Sequence, residues 1–495
     1  MEKGAYKMRP PRRRSSTTKP PSPYYTNTGL TPWMALVVAL LAMASITSFG
    51  AAYYLFTTRW ETRVLTAHEA DQEIQVVPFE PDSNSTQDSL VHHDPHEKYL
   101  AYLPHSGFHN QRIAFENALV LSGLLNRTLL VPPIRLGSKP LHYSRLEDLR
   151  QSLADDLEHC FMPECDRINM LWESLVDLSY IKSQQPLQQR SNMTDTWIRD
   201  HLQISEEEVL TLDDSHLYQY RFFDSIMDTS PANPKYLQSI HIPTLALTSE
   251  RLLQIGTLFG SSRLRLLVPQ NIRVRSEIRR SMAFANPDLV RAADSIAKEL
   301  GGTYLGVHIR VGDGHFHSNR FTNARRVWWK LVHQVLGFSI EDTLALEVRL
   351  RKSKSSSPSL LRPPQLTVDH PAERVPHPPL LPLPEDVSNN LSCRGPKHTL
   401  AQLRPLNVPL FISTDSKKPL MDSTMAIFLR TFPCTFFLSD FPNTRMVKDI
   451  LSQFLEAMVV GKAWAVVGTE GSTFSQFVED VLWRRYHGLA IVERG

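Results

Sequence analysis

A strand-length apolar run from Tyr304 to Ile309 ends abruptly in a charged turn that contains Arg310, Gly312 and Asp313. In an open α/β sheet, ligands bind just beyond the carboxyl ends of the strands, and this pattern would place Arg310 there. A guanidinium can donate two parallel hydrogen bonds to a diphosphate. The plainer alternative is a structural salt bridge at the end of the strand.

A second stretch of this kind runs from Gly468 to Ser475, after the apolar run at 463–467 and before a predicted helix. Its two glycines would let the backbone approach a ligand closely. The first turn of the helix would offer free N–H groups and the hydroxyls of Ser472 and Thr473, an arrangement that binds anions. Alternatively, Ser472 only caps its own helix. With Arg310 predicted at a neighbouring strand end, the anion-binding interpretation is favoured.

A third apolar run, Val408 to Thr414, ends at Asp415. The chain has no Gly-x-x-x-x-Gly-Lys-Ser/Thr motif, which excludes a P-loop hydrolase, and no Asp-x-Asp pair, the usual metal clamp for a nucleotide diphosphate. A site that handles a diphosphate leaving group without metal needs protein cations and helix-end dipoles. Arg310 and the backbone of Ser472–Phe474 meet that requirement.

The elements that would position these residues alternate strand and helix. A strand at 98–103, a loop, a helix at 112–125 and a strand at 129–133 form a βαβ unit, which predicts a parallel sheet. Residues 138–300 are expected to be mixed and mostly helical. Helices are predicted there at 195–212 and 287–300, and a strand at 263–268. Beyond them we predict strands at 304–309, 408–414, 434–438 and 463–467, and helices at 421–429, 449–460 and 473–483.

The chain is long enough for several domains, and its composition and charge divide it into segments. Residues 1–30 hold seven Lys/Arg and one acid, so the remainder, with 47 basic and 50 acidic residues, is slightly acidic. A nucleic-acid binder would carry its positive charge on the folded domain. The predicted segments are a basic cytoplasmic tail (1–32), a membrane anchor (33–56), a polar stalk (57–97), an amino-terminal domain (98–300) and a carboxyl-terminal domain (301–495).

The predicted anchor is uncharged and mostly apolar over 24 residues, which is enough to span a bilayer. The basic residues before it place the amino terminus in the cytosol, so the rest of the chain would be lumenal, in the Golgi or endoplasmic reticulum. A buried core helix is the alternative. A further segment, 353–388, holds nine prolines among the 27 residues from Pro358 to Pro384, and is predicted to be a disordered or extended insert outside any core.

A lumenal location agrees with two other features. Acceptor triplets for N-glycosylation lie beyond the anchor, as do all four cysteines, for which two disulfides are favoured over a metal site. Pairing of Cys160 with Cys165 is preferred among the three connectivities. The glycosylation candidates are Asn84, Asn126, Asn192 and Asn390.

The motifs together resemble the GDP-fucose O-fucosyltransferase family, in particular its fungal, membrane-anchored branch. The resemblance is carried by four stretches and covers roughly 98–495 apart from the proline-rich insert. They are Ser106-Gly-Phe-His-Asn-Gln-Arg112, His308-Ile-Arg-Val-Gly-Asp313, Leu410-Phe-Ile-Ser-Thr-Asp415 and Val467-Gly-Thr-Glu-Gly-Ser-Thr-Phe-Ser475.

The resemblance implies a GT-B architecture of two Rossmann-like domains and an inverting, metal-independent transfer of fucose to a protein or glycan hydroxyl. It implies no cofactor beyond the donor substrate, GDP-fucose. Arg310 and Asn110 would be catalytic, with Arg310 on the β-phosphate. The donor-binding residues that it implies are Ser472, Thr473 and Phe474 on the phosphates, His308 and Asp415 near the nucleoside, and Gly107 and Arg112, with Asn110, facing the fucose.

The sequence departs from part of that family at Ser106, where some members place a glutamate that acts as base. Serine cannot be a general base at neutral pH, and the acceptor hydroxyl needs a proton acceptor or a water path. The candidates left are His105, His109, Glu470 and Asp313, and a dissociative route without a base is open. Asp313 is also expected to be an internal partner of Arg310 or its turn.

Two other functions stay open on the sequence alone. A related GT-B transferase could use another nucleotide sugar, because nothing in these motifs recognises the sugar itself. A membrane-anchored, non-catalytic protein that binds a nucleotide sugar or glycan could also retain the scaffold, with the altered first loop as a sign of lost activity.

Overall fold

The computed structural model describes Trp33 and residues 96–137, 140–159, 167–226, 235–312, 314–351, 362–366, 380, 382–383, 392–442 and 449–492. The chain divides into two compact units, Met1–Asp71 and Gln72–Gly495, and every element below belongs to the second. The predicted tail, anchor and most of the stalk lie outside the described residues. None of the helices within the described ranges is both long and apolar enough to cross a bilayer.

The amino-terminal half is built on a five-stranded parallel sheet in the order β5-β2-β1-β9-β6. Helix α1, Phe108–Leu125, joins β1 to β2, so the predicted βαβ unit is confirmed. The helix begins at Phe108, four residues before the predicted start. The strands of this sheet are β1 (Tyr99–Tyr102), β2 (Thr128–Val131), β5 (Leu187–Gln189), β6 (Val209–Leu212) and β9 (Leu252–Ile255).

Residues 138–300 contain more strand than predicted. In two smaller sheets, β3 (Ile134–Gly137) pairs antiparallel with β4 (Arg167–Met170), and β7 (Tyr220–Phe223) lies between β8 (Gln238–His241) and β10 (Leu264–Arg265) in parallel. The helices of this half after α1 are α2 (Leu146–His159), α3 (Ser179–Gln184), α4 (Asp195–Leu202), α5 (Ile242–Leu245), α6 (Pro269–Ser281) and α7 (Pro287–Glu299).

The prediction of a helix over 195–212 is wrong for the second half of this range. Helix α4 ends at Leu202 because Gln203 takes a left-handed conformation (φ 52°), which an α-helix cannot continue through. Ser205 and Glu208 then form a capping box on a short 3-10 turn. Residues 209–212 leave that turn as β6 and pair with β9, so sheet formation overrides the local helical pattern.

The carboxyl-terminal half is built on a four-stranded parallel sheet in the order β13-β12-β11-β14. Strand β11 is central, and its end at His308 and Ile309 is in register with Gly468 of β14 and Thr414 of β12. The three polar strand ends predicted from the sequence are therefore neighbours in one sheet. The strands are β11 (Leu305–Ile309), β12 (Leu410–Thr414), β13 (Thr435–Phe436) and β14 (Ala465–Gly468).

The helices of this half largely follow the predicted order. The helix predicted at 421–429 is displaced to Ala426–Thr431, and the one predicted at 473–483 passes through a π-helical segment at Val478–Trp483. The helices are α8 (Gly314–Ser318), α9 (Arg320–Trp329), α10 (Ile340–Arg351), α11 (Ala426–Thr431), α12 (Asp449–Lys462), α13 (Thr473–Phe477) and α14 (Arg484–Tyr486), with a further π segment at Lys330–Val335.

Two large apolar cores hold these elements. The first combines side chains of the amino-terminal sheet with those of α12, for example Leu100 and Phe454. The second lies around β11, β12 and the tryptophans of α9. Leu366, Leu380 and Leu383 pack against this second core, so the proline-rich insert, predicted to lie outside any core, contributes three apolar contacts to it.

The covalent and modification sites are described in part. Cys393 and Cys434 form a disulfide. Pairing of Cys160 with Cys165, the preferred prediction, would leave these two cysteines for the second disulfide, but Cys160 and Cys165 lie outside the described residues. Asn126 is exposed at the end of α1, and the side chain of Asn192 accepts the Thr194 N–H at 2.9 Å. The acceptor sites at Asn84 and Asn390 also fall outside the described ranges.

Candidate active site

A cavity of about 500 Å³ opens at the carboxyl ends of β11 and β12. It brings together residues that the sequence places far apart, from the loop after β1, the turn after β11, the end of β12, helix α12 and the start of α13. Of the predicted catalytic and donor-binding residues, all but Arg112 line it. Its lining includes Ser106, Gly107, His109, Asn110, Pro140, His142, His308, Arg310, Phe316, Thr414, Asp415, Gln453, Glu456, Ser472, Thr473 and Phe474.

Arg310 lies on the wall of this cavity and is held there by Asp415. The Asp415 carboxylate accepts Arg310 Nε at 3.1 Å, and also accepts the backbone N–H of Val311 at 2.7 Å and of Gly312 at 3.0 Å. The Arg310 N–H donates to Thr469 Oγ1 at 3.0 Å, so the turn is tied to both neighbouring strands. Asp415 thus orients the guanidinium. Asp313, the partner expected from the sequence, lies outside the described residues.

The loop after β14 turns directly into helix α13. Ser472 Oγ accepts the Ser475 N–H at 3.3 Å, so Ser472 does cap its own helix. Capping engages the hydroxyl, while the first-turn N–H groups of Thr473 and Phe474 have no acceptor within a helix. Gly468 and Gly471 are required by the packing and the backbone conformation of the loop itself. A Cβ on Gly468 would lie 2.5 Å from that of Ser475, and Gly471 has φ +76°.

His308, the last but one residue of β11, is buried beneath this loop. Its Nδ1 lies 2.7 Å from Ser475 Oγ, which itself accepts the Thr469 N–H at 3.1 Å. Ser475 Oγ thus links the imidazole ring to the backbone of Thr469. Burial, reinforced by the charge of Arg310, lowers the pKa of His308 to about 3. The ring is therefore neutral at physiological pH, and it lines the cavity.

The amino-terminal side of the cavity is formed by the start of α1. Gly107 is the N-cap residue of this helix, and it lines the cavity with Asn110, so the early start of the helix puts its first turn in the site. His109 also lies there, with its ring 5.6 Å from that of Phe474. Burial and the charge of Arg112 lower the pKa of His109 well below its usual value.

Arg112 lies one helical turn farther on and lines a separate, smaller cavity. Its guanidinium donates to Glu116 Oε2 at 3.0 Å and lies 4.4 Å from the ring centre of Phe477. Glu116 also accepts from Arg279 of α6, through Nε at 2.8 Å and the terminal nitrogen at 2.6 Å. The structure therefore places Arg112 in a buried ion network beneath the cavity.

Two other candidates for a proton acceptor are not on the cavity wall. Glu470 forms ion pairs with Arg326 at 3.3 Å and Lys330 at 3.8 Å, which direct its carboxylate toward α9 and the π segment that follows. His105 is buried directly behind Ser106. Asp313 falls outside the described ranges, as noted above.

Glu456 of α12 is a site residue that the sequence reasoning missed. It lines the cavity and accepts the Ser413 hydroxyl at 2.8 Å. Loss of hydration raises the pKa of Glu456 to about 7, with a further contribution from Asp415, while hydrogen bonds from Ser413 and the Thr414 backbone oppose the rise. The available signal was a carboxylate within the mostly apolar sequence of α12, three residues after Gln453, which also lines the cavity.

Comparisons with known proteins agree on one family. The profile described as "GDP-fucose protein O-fucosyltransferase" matches residues 99–487. O-fucosyltransferase 30 of Arabidopsis thaliana is 60% identical over 50 residues, which are 9% of this chain and 10% of that protein. The chain thus matches about a tenth of the length of that curated relative.

Solved structures of POFUT1 align over most of both chains, at low similarity. The complex of POFUT1 with GDP-fucose is 11% identical with a TM-score of 0.36, covering 81% of this chain and 97% of that one. A complex of POFUT1 with GDP is 13% identical with a TM-score of 0.37, covering 80% and 97%.

Proposed function

The chain belongs to the GDP-fucose protein O-fucosyltransferase family, a family of glycosyltransferases, and on that premise we propose that it transfers fucose from GDP-fucose to a hydroxyl of a protein or glycan acceptor. The transfer inverts the configuration at the fucose C1 and needs no metal. Two Rossmann-like halves in a GT-B arrangement hold the donor and the acceptor. The observation that carries this proposal is the convergence of Arg310 and the first turn of α13 on one cavity.

The donor diphosphate binds between Arg310 and the start of α13. When the bond from C1 to phosphate breaks, GDP gains a negative charge, and preorganised cations and N–H donors stabilise it most effectively where they need not reorganise. The ion pair with Asp415 and the backbone contacts of the turn support such preorganisation for Arg310. In this proposal the neutral His308 carries its ring proton on Nε2, with Nδ1 accepting from Ser475 Oγ, and so supplies a further N–H donor without adding charge.

The guanine base is recognised by the carboxylate of Glu456. A carboxylate has two acceptor oxygens, which match the two adjacent donors of guanine, N1–H and the 2-amino group, whereas uracil presents no such pair. Glu456 is the acidic group of α12 that faces the cavity, and its hydrogen bond from Ser413 fixes one oxygen in place. This assignment accounts for a carboxylate kept in a poorly hydrated position.

In this proposal the protein is a single-pass type II membrane protein that residues 33–56 anchor. Both halves that form the cavity then lie in the secretory lumen. Exposure of Asn126 at the end of α1 supports access of its acceptor triplet to glycosylation enzymes. Removal of N-glycans from the protein expressed in a eukaryotic host should increase its gel mobility, and Asn126→Gln should remove part of that change. An unglycosylated product would contradict the lumenal location.

The activity is tested on the full-length protein by GDP titration and by GDP release from GDP-fucose. We expect micromolar or tighter GDP binding, weaker competition by UDP, and turnover that EDTA leaves unchanged. Arg310→Ala should lower turnover by about a hundredfold or more, the loss typical for a donor that stabilises transition-state charge. Arg291→Ala, which removes an exposed arginine of α7, is the matched control.

Each alternative has its own outcome in the same measurements. GDP binding that Arg310→Ala abolishes, with no release of GDP from GDP-fucose, would indicate a non-catalytic binding protein. Equal competition by UDP would overturn the donor assignment and favour a transferase with another nucleotide sugar.

A further inference from the structure

Ser106 has a backbone conformation that L-residues rarely adopt. Its φ is +64°, in the left-handed region, where non-glycine residues are uncommon. Asn126 and Gln203 adopt such a φ where they end helices, whereas Ser106 does not end a helix, and strained residues of this kind cluster at active sites. It precedes Gly107, the N-cap residue of α1, and lines the candidate active site.

Three contacts hold Ser106 in this conformation. Its N–H donates to the Leu141 carbonyl at 2.5 Å, and its own carbonyl accepts from Gln111 Nε2 at 3.0 Å. Its hydroxyl lies 2.8 Å from Nδ1 of His105. The surrounding structure therefore fixes the direction of the hydroxyl, at the cavity wall, against the intrinsic preference of the backbone.

His105 is in turn fixed on its other side. Its Nε2 lies 2.7 Å from Thr257 Oγ1, on the loop after β9, and that oxygen also accepts the Phe259 N–H at 3.1 Å. The ring packs between Tyr143 and Phe259, at centroid distances of 5.5 and 5.9 Å. The imidazole is thus held with one nitrogen toward Ser106 and the other toward a hydroxyl in the protein interior.

We propose that Ser106, His105 and Thr257 form a proton relay that accepts the proton of the attacking hydroxyl, with Ser106 as the catalytic residue and His105 and Thr257 as the groups that act through it. The inference rests on the proposed fucosyl transfer. It supplies, from residues of this chain, the proton acceptor that some family members obtain from a glutamate at the position of Ser106.

The relay moves one proton from the acceptor hydroxyl to His105. His105 carries its proton on Nε2 and donates it to Thr257 Oγ1, so Nδ1 accepts the Ser106 hydroxyl. As the acceptor oxygen bonds to fucose C1, the bond from C1 to the GDP oxygen breaks and GDP leaves with the electron pair. The acceptor's proton passes to Ser106 Oγ while the proton of Ser106 passes to Nδ1, leaving an imidazolium that later loses a proton to solvent.

The environment of His105 is compatible with this role. Burial, together with the charge of Arg263, lowers the pKa of His105 to about 4, which is near the value of an ordinary carboxylic acid. The imidazole is therefore neutral at physiological pH, and its basicity is similar to that of the glutamate it would replace.

Ser106→Gly is the decisive variant, because it removes the hydroxyl and also relieves the left-handed backbone. With full-length protein, GDP-fucose as donor and water as acceptor, kcat for GDP release should fall by about a hundredfold, within the range of general-base catalysis. The KM for GDP-fucose and the GDP affinity should be unchanged, and the melting temperature should stay equal or rise. A loss of folding would instead lower the melting temperature.

A second pair of variants tests the relay itself. Ser106→Glu should restore kcat to within about tenfold of the wild type, since a carboxylate accepts the proton directly. His105→Gln should lower kcat in the wild-type background and leave it unchanged in the Ser106→Glu background. Thr257→Ser should retain activity that Thr257→Val loses.

The outcomes separate the relay from the proposed function. If the wild type releases GDP and Ser106→Gly equals it, or if His105→Gln acts equally in both backgrounds, the relay is overturned and the transferase proposal stands. If the wild type binds GDP but releases none from GDP-fucose, both proposals fall.

Discussion

The carboxylate of Asp415 and the guanidinium of Arg310 form an ion pair, 3.1 Å between Oδ2 and Nε, across the ends of two adjacent parallel strands. The same carboxylate accepts two backbone N–H groups of the turn that carries Arg310. The orientation of the cation therefore depends on an anion that lies about a hundred residues after Arg310 in the sequence, beyond the end of the neighbouring strand β12.

Asp415→Asn should weaken GDP binding and lower turnover together. The amide keeps one acceptor oxygen but loses the charge that holds Arg310, and hydrogen bonds to charged groups are worth roughly 1.5–3 kcal/mol, or about tenfold or more in affinity. Isothermal titration with GDP checks this. Asp440→Asn, which disrupts an ion pair with Arg394 away from the cavity, is the control. An Asp415→Asn protein with wild-type GDP affinity would show that Arg310 is held by other contacts.

GDP affinity should depend on pH through Glu456. Because the pKa of Glu456 is raised to about 7, the side chain is largely protonated below that pH and cannot accept both guanine donors. Affinity should rise with pH up to about 8 and then level off. Glu456→Gln should bind GDP more weakly and without this dependence, as followed by titration at several pH values. An unchanged pH profile in the variant would contradict the assignment.

The raised pKa of Glu456 predicts that the stability of the fold decreases as the pH rises, whereas GDP affinity increases. A folded-state pKa above the ordinary value of 4.5 means that the folded protein holds this proton more tightly than the unfolded chain. Stability is therefore reduced as the pH rises from about 4.5 through 7. At pH 8, Glu456→Gln should melt at a higher temperature than the wild type, and this difference should shrink toward pH 5.

The buried network of Glu116 should contribute to folding. Glu116→Gln would remove the charge that Arg112 and Arg279 share, and breaking a buried pair from one side costs about 3–5 kcal/mol. Urea unfolding at pH 7 measures the loss. The control is Glu277→Gln, which removes a half-exposed carboxylate of α6. Equal stabilities of the two variants would argue against a structural role for the network.

The stabilisation by the Glu116 network should be lost at low pH. Burial alone would raise the pKa of Glu116, but the charges of Arg279 and Arg112 hold it below its ordinary value of 4.5. The stabilisation is therefore complete above about pH 4.5 and is lost as the pH falls through the lower, folded-state pKa. In Glu116→Gln, this part of the acid unfolding should be missing.

The disulfide between Cys393 and Cys434 should stabilise the carboxyl-terminal half. It links the segment that follows the insert to the residue before β13, over a sequence separation of 41. Loops of this size correspond to about 2–4 kcal/mol. Cys393→Ala and the double variant with Cys434→Ala should lose similar amounts in urea unfolding. Wild-type stability in both would show that the link adds little.

The parts of the fold that the sequence predicts well are those with strong local signals. The runs before Arg310, Asp415 and Gly468 are apolar, of strand length and bounded by polar turns, which is the pattern of buried parallel strands. The adjacency of β11 and β12 follows from a βαβ arrangement of consecutive strands, whereas β14 pairs with β11 and not with β13, the strand that precedes it in the sequence. By contrast, the pattern over 195–212 looks helical throughout, and only the pairing of β6 with β9 decides the state of its last four residues.

The details of the site depend on contacts between distant segments, which no local pattern contains. Arg310 pairs with Asp415, which lies about a hundred positions later in the chain, and Thr257 contacts His105 across 152 positions. A motif alone implies that Arg112 faces the sugar, but its ion-pair partner, Glu116, is shared with Arg279 of α6, which lies outside that motif. Glu456 carries no motif, so only the fold reveals that it faces the cavity.

Leu366, Leu380 and Leu383 set a limit on how far the proline-rich stretch can be shortened. Each covers apolar side chains of the second core without forming a backbone ladder, so proline is tolerated between them. Excising 353–388 as a whole would open that core to water and favour self-association of the protein. A shortened version for crystallisation should therefore be trimmed between Leu366 and Leu380, with all three leucines kept.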